Sequence, residues 1–138
     1  MKVKVVIDTN ALVSSLSSKS KHHFLIEMIY SAKIDVYVTS EILLEYEEVL
    51  STKYSRLTAY DFLMSLLEFK NVKFIDVYFK WRLLSDSDDN KFTDCFVASN
   101  SDYLVTNDTD FNILKTIGFP NITTIKLDEF LQLMKSNS

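Results

Sequence analysis

The 138-residue chain holds one glycine, one proline, one cysteine, one tryptophan and two histidines. With Gly118 alone, phosphate-cradling loops such as GxGxxG and the P-loop are excluded, because their backbone approach to phosphate needs several glycines. Cys95 can form no bridge within the chain and reads as core filler. His22 and His23 are adjacent, so they point apart on a helix, and no third nitrogen ligand exists for a zinc site. Long apolar runs are missing too. Hydrophobic residues make up 47% of the chain, yet charges cut every stretch well short of the roughly 18 to 20 residues of a membrane span. The start, Met1 to Ile7, reads as a strand with lysines interleaved and not as a signal peptide, so a soluble, cytoplasmic protein with no membrane association is expected.

Positive charge is also short. Fifteen Lys and Arg against nineteen Asp and Glu leave a net charge of -4, which argues against charge-driven binding of nucleic acid by the whole surface. A phosphate ligand would need local help, from bound divalent cations or from a basic patch such as Lys19, Lys21, Lys53 and Arg56.

The length is that of one ordinary domain, so residues 1 to 138 are expected to form a single unit. Val3 to Ile7 is a nearly uninterrupted β-branched run, the pattern of a strand covered on both faces, and it stops at Asp8. Phe24, Leu25, Met28 and Ile29 recur at helical spacing before a β-like run from Asp35 to Thr39. Ser40 is a plausible N-cap for a helix whose stripe is Ile42, Leu43, Tyr46, Val49 and Leu50, with Glu45 on its margin. A helix around Phe62 to Leu67, a strand within Val72 to Val77, an acidic loop from Ser85 to Asp89 and a helix from Lys91 to Asn100 follow. Tyr103 to Thr106 is β-like, a helix is expected near Phe111 to Thr116, a strand at Ile122 to Ile125 and a last helix at Asp128 to Met134. Alternation at this spacing implies a three-layer α/β/α fold with a mostly parallel, four- or five-stranded sheet and strand one near its centre.

In such sheets ligands gather outside the carboxyl ends of the strands, near the switch in strand order. Asp8 follows strand one, Asp108 and Asp110 follow the strand ending at Val105 or Thr106, and Asp86, Asp88 and Asp89 precede a helix that can bring them to the same edge. Each alone reads first as a turn former, a cap or a solvated loop acid. Together they suit Mg²⁺ or Mn²⁺, since facing carboxylates repel until a cation neutralises them, and hard oxygen ligands match those ions. Metal-assisted hydrolysis of a phosphodiester is the natural chemistry.

At this point the chain resembles a known family. Val6-Ile7-Asp8-Thr9-Asn10, the helix Ser40 to Leu50, the stretch Asp86 to Phe92 and the stretch Asp102 to Phe111 are similar to the successive motifs of PIN domains, above all the toxin-component, VapC-like, ribonuclease branch. The resemblance implies that Asp8, Glu45, Asp89 and Asp108 are the catalytic, metal-binding acids, supported by Asn10, Thr106 and Asp110, with Asp88 an alternative to Asp89. Helical geometry separates Asp89 from Asp94, which projects roughly opposite. Asn107 stands where related chains often carry glycine. The resemblance further implies an Mg²⁺-dependent endoribonuclease, held by a cognate antitoxin and able to form a homodimer. Removing one carboxylate should abolish cleavage and leave the fold at least as stable.

Two other readings compete. A phosphoacceptor receiver domain would use Asp76 after strand three, with Thr106 and Lys126, but leaves Asp89, Asp108 and Asp110 without a role. A non-catalytic PIN-like module would bind RNA or a protein and cut nothing. Trp81 with Tyr78 and Phe79 reads first as packing, in the core or against a partner, and second as a stacking surface for bases.

Overall fold

The computed structural model describes residues 2–137; Met1 and Ser138 lie outside the described residues, and the first strand begins at Val3, after Lys2. In chain order the elements are β1 (Val3–Ile7), α1 (Thr9–Ser14), α2 (Phe24–Tyr30), β2 (Ile34–Val38), α3 (Ser40–Lys53), α4 (Arg56–Glu68) and β3 (Val72–Phe74). A 3₁₀ turn (Ser87–Asp89) then leads into α5 (Asn90–Ser99), β4 (Tyr103–Val105), a 3₁₀ helix (Thr109–Thr116), β5 (Thr124–Ile125) and α6 (Leu127–Ser136). The five strands form one sheet of order β3-β2-β1-β4-β5, parallel at every pairing, within a three-layer α/β/α arrangement.

Val5, Val6 and Ile7 are fully buried, which is why β1 reads as a continuous apolar run and not as an alternating one. Helix α5 lies against β1, β2 and β4, and Phe92, Cys95 and Phe96 are its buried residues nearest the core. Burial pushes the Cys95 thiol up to about 12, the chemistry of packing and not of a nucleophile. Asn71 ties the sheet to the helices: its side-chain amide donates to Ile29 O and Ile34 O, each at 2.9 Å.

Several local expectations shift. The cap of α3 is Thr39, whose hydroxyl accepts from Ile42 N–H at 3.2 Å, one residue before Ser40. The third strand ends at Phe74, and the segment after it runs on without regular structure. The helix expected near Phe111 is a 3₁₀ helix that begins at Thr109. Asn107 adopts no positive φ; its side-chain oxygen instead accepts from Leu127 N–H at 2.9 Å, capping the start of α6. Helix α1, Thr9–Ser14, adds to the elements expected from sequence.

The strand order fixes where a ligand can go. From β1 the chain winds outward through β2 to β3, then returns to place β4 on the opposite side of β1, so the switch lies between β1 and β4. Their carboxyl ends are level, with Ile7 opposite Val105. The same order removes the receiver reading, which needs strand three beside strand one; here β3 is the sheet's edge and Asp76 lies exposed beyond it.

Candidate metal centre

Asp8 leaves the end of β1 with its backbone N–H bonded to Val105 O at 3.0 Å, then turns into α1 as its N-cap. One carboxylate oxygen accepts from Ala11 N–H at 3.0 Å and the other from the Thr106 hydroxyl. The side chain is 6% exposed. Burial raises its pKa and nearby Asp108 adds to that, while the bonds from Thr106, Ala11 and the Asn10 backbone oppose it. Asn10 therefore helps Asp8 through its main chain; its side chain is exposed.

Across the switch, β4 continues into Thr106, which is 5% exposed. Its hydroxyl donates to Asp8 and accepts from Asp108 N–H at 3.0 Å, so one side chain sets both acids. Asp108 caps the following 3₁₀ helix by accepting from Asp110 N–H at 2.9 Å, which folds Asp110 back toward it. Asp89 arrives from the third direction, on the 3₁₀ turn before α5. Asp89, Asp108 and Asp110 each bring a carboxylate oxygen within 4.8 Å of the others. Burial, then the charges of Asp86, Asp108, Asp110 and Glu45, push Asp89 up to about 6.

Glu45 borders this group without joining the closest trio. The Thr9 hydroxyl donates to one of its oxygens, and the Lys91 ammonium sits 2.8 Å from the other. Asp88 is exposed on the outer rim, where it shares a groove with Glu45 and Lys91. Asp94 lies elsewhere: its carboxylate accepts from Trp81 N–H at 3.0 Å. Thr9 and Lys91 escaped the sequence reading. Their only signal was adjacency, one residue after Asp8 and two after Asp89. Both histidines are engaged away from the acids, His22 with Asp128 at 2.8 Å and His23 with Ser15 O at 3.0 Å.

The donors on offer are carboxylate and hydroxyl oxygens, without sulfur or imidazole, which fits a hard divalent cation such as Mg²⁺ or Mn²⁺. The raised pKa of Asp89 states the same need in energetic form, since its negative charge is poorly compensated by the protein alone.

A pH dependence follows. A carboxyl at about 6 in the folded chain, against an ordinary 3.8, binds its proton more tightly folded than unfolded. Its ionised form thus costs stability above about pH 6, and that cost fades as pH falls toward 3.8. Solvent screening at this half-buried site limits the effect to about 1 kcal/mol, a few degrees in Tm. In EDTA, Asp89→Asn is expected to melt a few degrees above the parent at pH 8, with the gap about halved at pH 5 and closed near pH 3.8. A gap that stayed constant with pH would show that Asp89 titrates normally.

Similarity to known proteins agrees with the fold. The chain resembles VapBC2 from Rickettsia felis, solved bound to a DNA fragment from its promoter, at 17% identity and a TM-score of 0.62 over 90% of this chain and 98% of that one. It resembles Mycobacterium tuberculosis VapC20, a Sarcin-Ricin loop cleaving toxin, at 14% identity and 0.59 over 86% and 98%. The PIN domain endonuclease Utp24 is similar at 16% identity and 0.52 over 89% and 84%. No curated protein matches in sequence. The PIN domain family model matches residues 4–110, from β1 through Asp110, and the chain belongs to that family.

Proposed function

We propose that this protein is an Mg²⁺-dependent endoribonuclease that hydrolyses RNA phosphodiesters, with Asp8, Glu45, Asp89 and Asp108 as its metal-site acids and Asp110 as a further ligand. The observation that carries the reading is the convergence of Asp89, Asp108 and Asp110 at the carboxyl edge of the switch, beside the buried Asp8. A divalent cation held there supplies Lewis acidity at phosphorus and an activated water. The chain's own residues do the rest. Thr106 orients Asp8 and Asp108, Thr9 and Lys91 fix Glu45, and burial shields the Asp8 carboxylate from bulk water.

Membership of the PIN family supports nuclease activity, and likeness to a Sarcin-Ricin loop cleaving toxin supports RNA as substrate. The fold shared with VapBC2 supports the further proposal of a toxin restrained by an antitoxin, with homodimerisation through exposed apolar surface. Among the described residues no helix is long and apolar enough to cross a membrane.

Product ends test the chemistry. Metal-assisted hydrolysis attacks phosphorus with water and leaves linear phosphate ends, whereas attack by the RNA's own 2′-hydroxyl leaves 2′,3′-cyclic phosphates. Mass spectrometry of RNA fragments made by the purified chain should show linear monophosphate ends from the earliest time points. Cyclic ends in those early fragments would overturn the mechanism, and RNA that is bound but never cut would favour the non-catalytic module.

A further inference from the structure

Glu45 differs from the other acids of the centre in having a cation of the chain's own beside it. The Lys91 ammonium lies 2.8 Å from Glu45 Oε1, and the Thr9 hydroxyl donates to Oε2, so each oxygen of this carboxylate already meets a protein donor. The Lys91 side chain is only 12% exposed and that of Glu45 27%. A lysine so nearly withdrawn from water is held there by its anion, and removing either partner leaves the other charge poorly solvated.

Chain position explains the pairing. Lys91 stands in the first turn of α5, two residues after Asp89, and Glu45 is on α3, which touches α5. The start of α5 thus delivers an acid to the trio of Asp89, Asp108 and Asp110 and a cation to the acid that borders it. Asp8 is engaged in a similar way, by Ala11 N–H and the Thr106 hydroxyl. The carboxylates therefore divide. Asp89, Asp108 and Asp110 approach one another within 4.8 Å, while Asp8 and Glu45 are each held by protein donors, and of those donors only Lys91 carries a full positive charge.

We propose that Lys91 is a tethered cation in the place of a second metal ion: it neutralises Glu45, so the centre takes a single divalent ion where Asp89, Asp108 and Asp110 converge, and Glu45 meets that ion through water. The inference rests on the metal-dependent reading above. Sites that hold two ions keep them about 3.5 to 4 Å apart and need carboxylate oxygens for both. Here an ammonium fixed by the chain already occupies Glu45, and Mg²⁺, which gives up its waters reluctantly, does not displace it. A single such ion is satisfied by few carboxylates and several waters, so the trio suffices. Lys91 is a positioning residue that acts through Glu45 on the number of ions bound.

The test is titration of the metal-free full chain with Mn²⁺ in the absence of RNA. Bound ions are counted from the loss of the free-ion electron paramagnetic resonance signal, and melting curves are taken alongside. The parent should bind one Mn²⁺ per chain and Lys91→Met two, the second at the uncovered Glu45. Lys91→Arg, which keeps the cation, should return the count to one. In EDTA, Lys91→Met should melt about 5 °C below the parent. Saturating Mn²⁺ should close most of that gap, because the variant alone gains a second ion, a rescue that loss of a merely structural ion pair would not show. If Lys91→Met does not fold, Glu45→Gln decides: it should still bind one ion, about tenfold more weakly, and loss of that ion would make Glu45 a direct ligand and overturn the proposal. A count of two or none on the parent, or of one on folded Lys91→Met, would also overturn it. A parent that binds two ions and cuts RNA leaves the nuclease reading standing and removes the role given to Lys91. A parent that binds one ion and never cuts RNA, with two ions on Lys91→Met, does the reverse.

Discussion

Asp108→Asn is expected to cleave RNA at least about 100-fold more slowly than the parent in Mg²⁺, while folding as well or better. The loss follows from replacing one of three closely grouped carboxylates by a neutral amide, which removes a hard anionic ligand from the cluster. The retained stability follows from the second role of the same side chain. Asp108 caps the 3₁₀ helix by accepting from Asp110 N–H, and Asn keeps that acceptor while removing a charge that repels Asp89 and Asp8. Asp108→Ala should be equally inactive but less stable by about 1 kcal/mol, because the cap is gone. Paired kinetic and melting measurements on the two variants separate ligand from cap. An Asp108→Asn chain that cut RNA at the parental rate would remove Asp108 from the reaction.

From sequence, Asp8→Asn looks equivalent to Asp108→Asn, and the structure separates them. The second oxygen of Asp8 accepts the Thr106 hydroxyl proton, and that hydroxyl in turn accepts from Asp108 N–H. An amide nitrogen in place of that oxygen leaves the hydroxyl proton without its acceptor in a buried site, a cost of about 1 to 3 kcal/mol that offsets the relief of repulsion. The expectation that either substitution spares the fold thus holds better for Asp108.

The parts of this architecture that were legible in sequence are those where one pattern has one cause. Buried parallel strands read as β-branched runs, and acids follow β1 and β4, Asp8 at once and Asp108 after two intervening residues, so both fall to one edge as soon as the strands are known to be parallel. Strand one at the centre and helices at the crossovers followed from the same alternation. Helix α1 leaves little trace in sequence because six residues, Thr9 to Ser14, are too few for a 3.6-residue period to register. The cap at Thr39 was missed by one residue, which is within the ordinary uncertainty of a helix boundary.

The contacts that shape Glu45 were illegible for a different reason. Thr9 and Lys91 meet it from sites 36 and 46 positions away, and no local pattern in a single sequence encodes such a meeting. Asn107 gives the opposite lesson. It looked like a departure in a turn, and its side chain caps a helix that begins twenty residues later.

The second large effect is metal removal. Asp8 and Asp89 carry raised pKa values because burial, and then neighbouring like charges, outweigh what the protein supplies in compensation, and the histidines and Cys95 that could serve a metal-free mechanism are engaged or buried elsewhere. The most direct measurement is the rate of cleavage of a single-stranded RNA by the parent chain in millimolar Mg²⁺, after excess EDTA, and after Mg²⁺ is restored. Cleavage is expected to fall to background in EDTA and to recover fully with Mg²⁺ or Mn²⁺. Cleavage that continued in EDTA at the rate seen in Mg²⁺ would contradict this expectation.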